Sequence, residues 1–388
     1  LIGAMPVTKP RQIQIASPVI GQDEIQAVCE VLESGWLTQG PRVAAFEKKF
    51  AEIHGVKHAI AVTSCTTGLH LALTAMGIGL GDEVILPAFT WVATANVVVQ
   101  CGATPVFADV DPVTYNIDPQ DILKRITTHT KAVMPVHLFG LCSEMDVIQD
   151  ILPDHIKILE DAACASGAMY KDRPAGSLGD AGVFSFHPRK SITTGEGGMI
   201  TTNDDQIAEL AGMLRNHGAS ISEEQRHRGS KSYLLPEFNH LGFNCRMTDL
   251  QGALGLAQLD QLQRFIKERD LRANWYTQEL STIPWLRMPE RPCDGTHAWQ
   301  AFVTYIDPDT APMSRNHLME QLQEVGISTR PGTHAVHMLG YYAQRFGIKP
   351  TDYPRAMDCD HNTMAIPLHN QMSKDDYQHV VETLKAMS

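Results

Sequence analysis

The stretch FSFHPRKSITTGEGG, residues 184–198, holds one lysine, Lys190, between a strand-like apolar run and a cluster of glycines. An amine kept in a crevice rather than in bulk water can act as a nucleophile and move protons. A nucleotide phosphate loop is excluded on spacing, because G-x-x-x-x-G-K-[ST] does not fit a chain in which Arg189 precedes Lys190. A dinucleotide fingerprint is excluded too. Gly195, Gly197 and Gly198 do not make G-x-G-x-x-G, and TSCTTG (63–68) has a single glycine.

Three other segments supply groups that complement an amine. EDAACASGA (160–168) places Asp161 at the end of a candidate strand, and PAFTWVATA (87–95) brings an aromatic residue, Trp91. TSCTTG offers hydroxyls and free N–H groups at a helix start, where an anion is favoured. All three fall at the carboxyl edge of a parallel sheet, where ligands gather. Together they suit pyridoxal 5′-phosphate (PLP), whose aldehyde takes the lysine amine, whose phosphate takes the helix start and whose ring takes the aromatic plate. A carboxylate facing the pyridine nitrogen favours its protonated form, which is what makes the ring an electron sink.

The elements that must hold these groups are legible as a rhythm. From about His58 to Thr202, short apolar runs alternate with turns and helical patterns, predicting an α/β domain with a largely parallel seven-stranded sheet flanked by helices. The candidate strands are 58–62, 83–86, 105–108, 132–136, 157–160, 182–186 and 198–201. Leu69, Ala72, Leu73 and Met76 follow the i, i+3, i+4, i+7 spacing of a helix face. A long helix is predicted over 248–280, then a strand at 298–306, a helix at 317–326 and a last helix at 373–387 capped by Ser373. These form a smaller C-terminal α+β unit. With 388 residues, two domains are expected, 15–258 and 259–388.

Bulk composition narrows the function classes. At 43% hydrophobic and 20% charged the chain is an ordinary globular protein, and 32 basic against 44 acidic side chains oppose binding to nucleic acid. The eight cysteines (29, 65, 101, 142, 164, 245, 293, 359) include no CxxC pair, so no metal is expected and they read as reduced, mostly buried thiols. LIGAMPVTKPRQ lacks the apolar stretch of a signal peptide and no run reaches bilayer length. A cytoplasmic protein without a membrane partner is expected.

The chain resembles the DegT/DnrJ/EryC1/StrS family of PLP-dependent sugar aminotransferases, which have the aspartate-aminotransferase (type I) fold. The matching segments are GWLTQGPRVAAFEKKFA (35–51), GDEVILPAFTWVATANVV (81–98), GATPVFADVDP (102–112), EDAA (160–163), FSFHPRKSITTGEGG, LGFNCRMTDLQGALGLAQL (241–259) and IPLHNQMS (366–373). The resemblance implies that Lys190 is the Schiff-base lysine, Asp161 the pyridinium partner and Trp91 the ring-stacking residue. It places Thr66, Thr67 and Ser185 at the phosphate, and it implies that Asn244 reaches the phosphate of the neighbouring subunit's cofactor, hence a homodimer with shared sites. Two positions depart from the family pattern: Cys164 stands where glutamine is common, beside the cofactor's hydroxyl, and Cys65 where a glycine is usual.

The reaction so implied moves an amino group, with L-glutamate the expected donor, onto a keto or aldehydo sugar, a nucleotide-linked deoxy-keto sugar above all. Lys190 would shuttle the proton, and a cationic ring nearby would lower its pKa. An aminotransferase for a nucleotide-free sugar acid such as an oxidised octulosonate of lipopolysaccharide is the alternative. A PLP-dependent sugar dehydratase and a non-catalytic sensor are the others, and Lys190 itself argues against the dehydratase. Around the lysine, His187 reads as a structural residue or a substrate contact, and Arg189 as a substrate-anion contact or a surface ion pair. Glu196 reads as a loop-fixing residue and Trp36 as a packing one. In relatives the region of His334 and His337 borders the sugar pocket, and Arg330 fits an anion contact there.

Overall fold

Runs of Val, Ile, Ala and Phe build seven strands whose alternate residues enter two separate cores. The protein is described by a computed structural model over residues 11–221, 233 and 235–387. The strands are β1 (His58–Val62), β2 (Glu83–Pro87), β3 (Thr104–Ala108), β4 (Thr130–Val133), β5 (Lys157–Asp161), β6 (Ala181–Ser185) and β7 (Gly198–Thr202). They lie in the order β1-β7-β6-β5-β4-β2-β3. β7 alone runs antiparallel, to both β1 and β6, while the other neighbours are parallel. Val84 and Leu86 face one core and Ile85 the other, as the two-residue period of a strand requires. The mostly parallel sheet flanked by helices is the arrangement expected.

Segment boundaries differ where local chemistry intervenes. The strand expected at 132–136 ends at Val133, because Pro135 has no N–H to give the ladder. The strand expected at 298–306 begins only at Phe302. Trp299 takes a left-handed conformation (φ 47°), and the N–H groups of Ala298 and Gln300 donate instead to the Gly140 and Phe139 carbonyls. Among the cysteines only Cys142 and Cys359 are buried, while Cys29 and Cys293 are exposed. The expectation of mostly buried thiols is thus corrected: Cys29 lies on the outer side of the Gln22–Ser34 helix and Cys293 in the loop before Gly295.

The Asp249–Leu280 helix is unbroken, and the boundary expected between 258 and 259 falls inside it. Its first turn does two jobs. Thr248 caps the helix itself by accepting from the Gln251 N–H, and buried Asp249 accepts from the N–H groups of Gly40, Arg42 and Val43 at the start of the Pro41–His54 helix. Its far end packs Tyr276 and Leu280 into a third core with Trp285, Phe302, Leu322 and Tyr377. The four-stranded sheet beside that core runs Leu286–Arg287, Phe302–Ile306, Thr363–Ile366, Arg330–Pro331. Among the described residues no helix is long and apolar enough to cross a membrane.

Beside Asp161, the fully buried Glu160 accepts from the N–H groups of Gly176, Leu178 and Gly179 at 2.7 Å and contacts His137 Nε2 at 2.8 Å. Glu160→Ala strands those buried donors, so urea unfolding is expected to show a loss of about 3 kcal/mol or more. An unchanged midpoint would show that the loop pairs elsewhere.

Candidate active site

Because β5 and β6 are parallel neighbours, their carboxyl ends carry Asp161 and Ser185 to the same edge of the sheet. Beyond Ser185 the chain turns through Lys190 and returns as β7, where Gly198 pairs with Ser185. Gly198 passes against the start of the Cys65–Ala75 helix. A Cβ there would lie 2.6 Å from the Cys65 nitrogen and the Ser64 carbonyl carbon, so only glycine lets the two segments approach.

That helix start is the TSCTTG segment, expected to cradle an anion. Ser64 Oγ accepts from the Thr67 N–H at 3.1 Å, and the Ser64 N–H donates to Thr67 Oγ1 at 3.1 Å. Thr67 is therefore partly committed to capping and the Gly68 N–H donates to the Ser64 carbonyl at 3.0 Å, which leaves the Cys65 and Thr66 N–H groups as the ones a phosphate would take. Ser185 is buried and accepts a long bond from the His187 N–H.

Asp161 is 4% exposed. Its Oδ2 accepts from Thr94 Oγ1 at 2.8 Å and its Oδ1 from the Ala163 N–H at 3.2 Å. Burial raises its pKa, against the pull of Thr94, Ala163 and Lys190. Lys190 is partly covered as a residue, but its amine is shielded and contacts Cys164 Sγ at 3.1 Å. Burial alone would lower the amine's pKa; Cys164, Cys65 and Asp161 outweigh it and hold it above the ordinary lysine value. The lowering expected from a cationic ring therefore has to overcome an opposite bias in the protein itself. Cys65 Sγ lies 4.0 Å from Asp161 Oδ1, and burial pushes that thiol well up.

The raised Asp161 pKa carries a sign. A carboxyl that binds its proton more tightly folded than unfolded adds stability at acid pH, and that stability is lost as pH rises through the folded pKa. In the cofactor-free protein, Asp161→Asn keeps the acceptor for Thr94 and cannot ionise. Its Tm should match wild type at acid pH and exceed it at neutral pH. A difference that is the same at both would show that burial does not penalise this carboxylate.

The other expected residues are distributed unequally. Trp91 is 60% exposed, with its ring 5.5 Å from that of His334, and His334 reaches it through the antiparallel pairing of Thr90 with His334. His187 Nδ1 accepts from the Arg189 N–H at 3.2 Å and so braces the lysine turn. Arg189 is exposed, its carbonyl held by Gln300 Nε2 at 3.0 Å, and burial and then the charge of Arg330 lower its pKa. Among the described residues neither Arg189 nor Arg330 forms an ion pair. Asn244 is exposed, next to Cys245, whose carbonyl accepts from the Thr63 N–H at 3.1 Å. His337 is 0% exposed; it contacts the Pro350 carbonyl at 3.0 Å and packs edge-on against Tyr353. Glu196 is exposed and its carbonyl, not its carboxylate, accepts from Thr194 and Gln251.

Thr94 and Gly198 are contributions that reading the residues missed. Thr94 follows Trp91 by three residues at a helix start, where threonine has an ordinary capping use; only the pairing with Asp161 distinguishes it. A buried amine, a buried carboxylate at the adjoining strand end and a hydroxyl-lined helix start are a donor set that fits PLP. Among the described residues no group of three ligating side chains could hold a metal.

The family model for DegT/DnrJ/EryC1/StrS aminotransferases matches residues 18–385. The chain is 44% identical over 370 residues to the spore coat polysaccharide biosynthesis protein SpsC of Bacillus subtilis, covering 95% of each. It is 39% identical over 376 residues to the GDP-perosamine synthase of Caulobacter vibrioides, covering 96% of this chain and 97% of that one. Spr1654 of Streptococcus pneumoniae, solved in a PLP form, superposes with a TM-score of 0.89 at 27% identity over 97% of this chain and 98% of that one.

Proposed function

The chain belongs to the DegT/DnrJ/EryC1/StrS aminotransferase family, a PLP-dependent transaminase family acting on sugars, and from that premise we propose a substrate and a role for each residue. The amino group comes from L-glutamate and goes to a keto or aldehydo sugar, a nucleotide-linked deoxy-keto sugar in the first place, for amino-sugar and surface-polysaccharide synthesis. The observation that carries this reading is the shielded Lys190 amine with Asp161 at the adjoining strand end. The names of the SpsC and GDP-perosamine synthase relatives support the polysaccharide setting.

PLP, when bound, withdraws electrons from the substrate and makes its Cα proton acidic. Lys190 Nζ would take that proton and pass it on within the first half of the reaction, as base and then as acid, and would carry a proton in the opposite sense to the acceptor carbon in the second. Asp161, kept dry and oriented by Thr94, would set a negative charge against the cofactor's ring nitrogen and favour its protonated form. Thr66, Thr67, Ser185 and the helix start would bind the phosphate, Cys164, beside the lysine, would meet the cofactor's hydroxyl, and Trp91 would stack on the ring. Arg189 and Arg330, two cations with no carboxylate partner among the described residues, suit the anionic groups of donor or acceptor. Asn244 serves a partner subunit's cofactor in a homodimer, a reading supported by the exposed Tyr233, Leu235, Phe238, Leu241 and Phe243 just before it. Eight unpaired cysteines support a cytoplasmic setting.

The test loads the enzyme with the aminated cofactor and offers keto sugars with and without a nucleotide, and keto sugar acids, following return of the aldehyde form by absorbance. Return with a nucleotide-linked keto sugar is expected. If only a nucleotide-free sugar acid restores it, that alternative replaces this reading; if 2-oxoglutarate restores it and no sugar does, the sugar acceptor is wrong.

A further inference from the structure

Amino transfer makes no use of the contact between the Lys190 amine and Cys164 Sγ, which lie 3.1 Å apart. Cys164 is half-buried in the turn after β5, which leaves it open to an oxidant as small as hydrogen peroxide. Among the described residues the amine makes no other hydrogen bond. A sulfur that peroxide has carried to the sulfenic acid condenses with a neighbouring thiol or nitrogen, so the partner it takes is set by what lies around it.

Two rival partners are engaged elsewhere. Cys65 turns its sulfur to the Val183 carbonyl at 3.6 Å and to Asp161 Oδ1 at 4.0 Å. Burial and then the Asp161 charge push that thiol well up, so it keeps its proton and attacks poorly. The backbone nitrogen that follows Cys164, that of Ala165, donates its hydrogen to the Ala162 carbonyl at 2.9 Å. The Lys190 amine is the nucleophile left in contact. Burial lowers its pKa, and Cys164 is the first of the groups that outweigh burial. Once that sulfur bears oxygen, the bias toward the ammonium weakens and the lone pair is freed.

We propose that Cys164 and Lys190 are a modification site, at which hydrogen peroxide drives a sulfur–nitrogen bond in the cofactor-free chain. Peroxide first oxidises the sulfur by two electrons; its O–O bond breaks, giving S–OH and one water. Lys190 Nζ then attacks the sulfur, the S–O bond breaks, and the hydroxide leaves as a second water with a proton from the nitrogen. The S–NH product is two hydrogens short of the thiol and amine, and a thiol reductant restores both. The bond itself needs nothing from the transferase reading; its consequence, an amine that can no longer anchor PLP, rests on that reading.

The test treats the full-length chain, stripped of cofactor, with hydrogen peroxide and maps its peptides by mass without reductant. The peptide holding Cys164 should be joined to the one holding Lys190, about 2 Da below the sum of the two, and dithiothreitol should separate them. Cys65→Ser should keep the link; Cys164→Ser, checked for an unchanged Tm, should form none. Linked protein should take up about tenfold less PLP, read by absorbance after gel filtration, and recover with dithiothreitol. Cys164 joined to Cys65, carried on to the sulfinic acid with Lys190 free, or left as the thiol overturns the proposal. A link that forms yet leaves PLP uptake unchanged upholds the bond and removes Lys190 from its role as the cofactor's anchor.

Discussion

Lys190→Ala should leave a folded protein whose transamination is slowed at least about 10⁴-fold, since one side chain supplies both the covalent anchor and the proton carrier. The amine contacts Cys164 at 3.1 Å in a shielded pocket. Formation of 2-oxoglutarate from glutamate measures the loss. Borohydride treatment followed by peptide mass analysis gives a readout independent of turnover: wild type should gain a pyridoxyl mass on the peptide containing Lys190, and the variant should not. A variant that retained the label elsewhere and most of its rate would remove Lys190 from its proposed role.

Asp161→Ala should keep the cofactor and lose about 10²- to 10³-fold in rate. The phosphate cradle and Trp91 lie on other elements, so binding is largely preserved, whereas loss of a buried charge partner costs about 3–5 kcal/mol where the ring must stay protonated. Cofactor content by absorbance and kcat from a coupled assay separate the two effects. A near-normal kcat would show that the carboxylate does not govern the ring. Loss of the cofactor itself would give Asp161 an anchoring role instead.

The seven strands were legible because burial on both faces leaves near-continuous apolar runs, and Lys190 and Asp161 were legible because they interrupt such runs at their ends. The antiparallel direction of β7 was not, since no residue type marks strand sense. Trp299 shows a second limit: AWQAFVTYI has strand composition throughout, but its first residues spend their N–H groups on Gly140 and Phe139, a long-range competition invisible locally. His334 and His337 stand three apart in one segment, yet the turn at Val336–Met338 sends the second into the core while the first meets Trp91. The roles given to Thr66, Thr67 and Asn244 came from family resemblance rather than from the residues. Thr94 came from neither, because its importance lies only in what it touches.

The reversed strand, second from the edge of the sheet, has a mechanical meaning. The connections between β1 and β2, β2 and β3, β3 and β4, and β4 and β5 each cross a helix before re-entering the sheet; residues 186–197 instead span two adjacent strand ends, as a short handle is riveted at both sides. The tether carrying the reactive nitrogen is therefore fixed in length by the sheet, and lengthening it by even one residue would swing that nitrogen away from its target while every other wall of the pocket stayed in place.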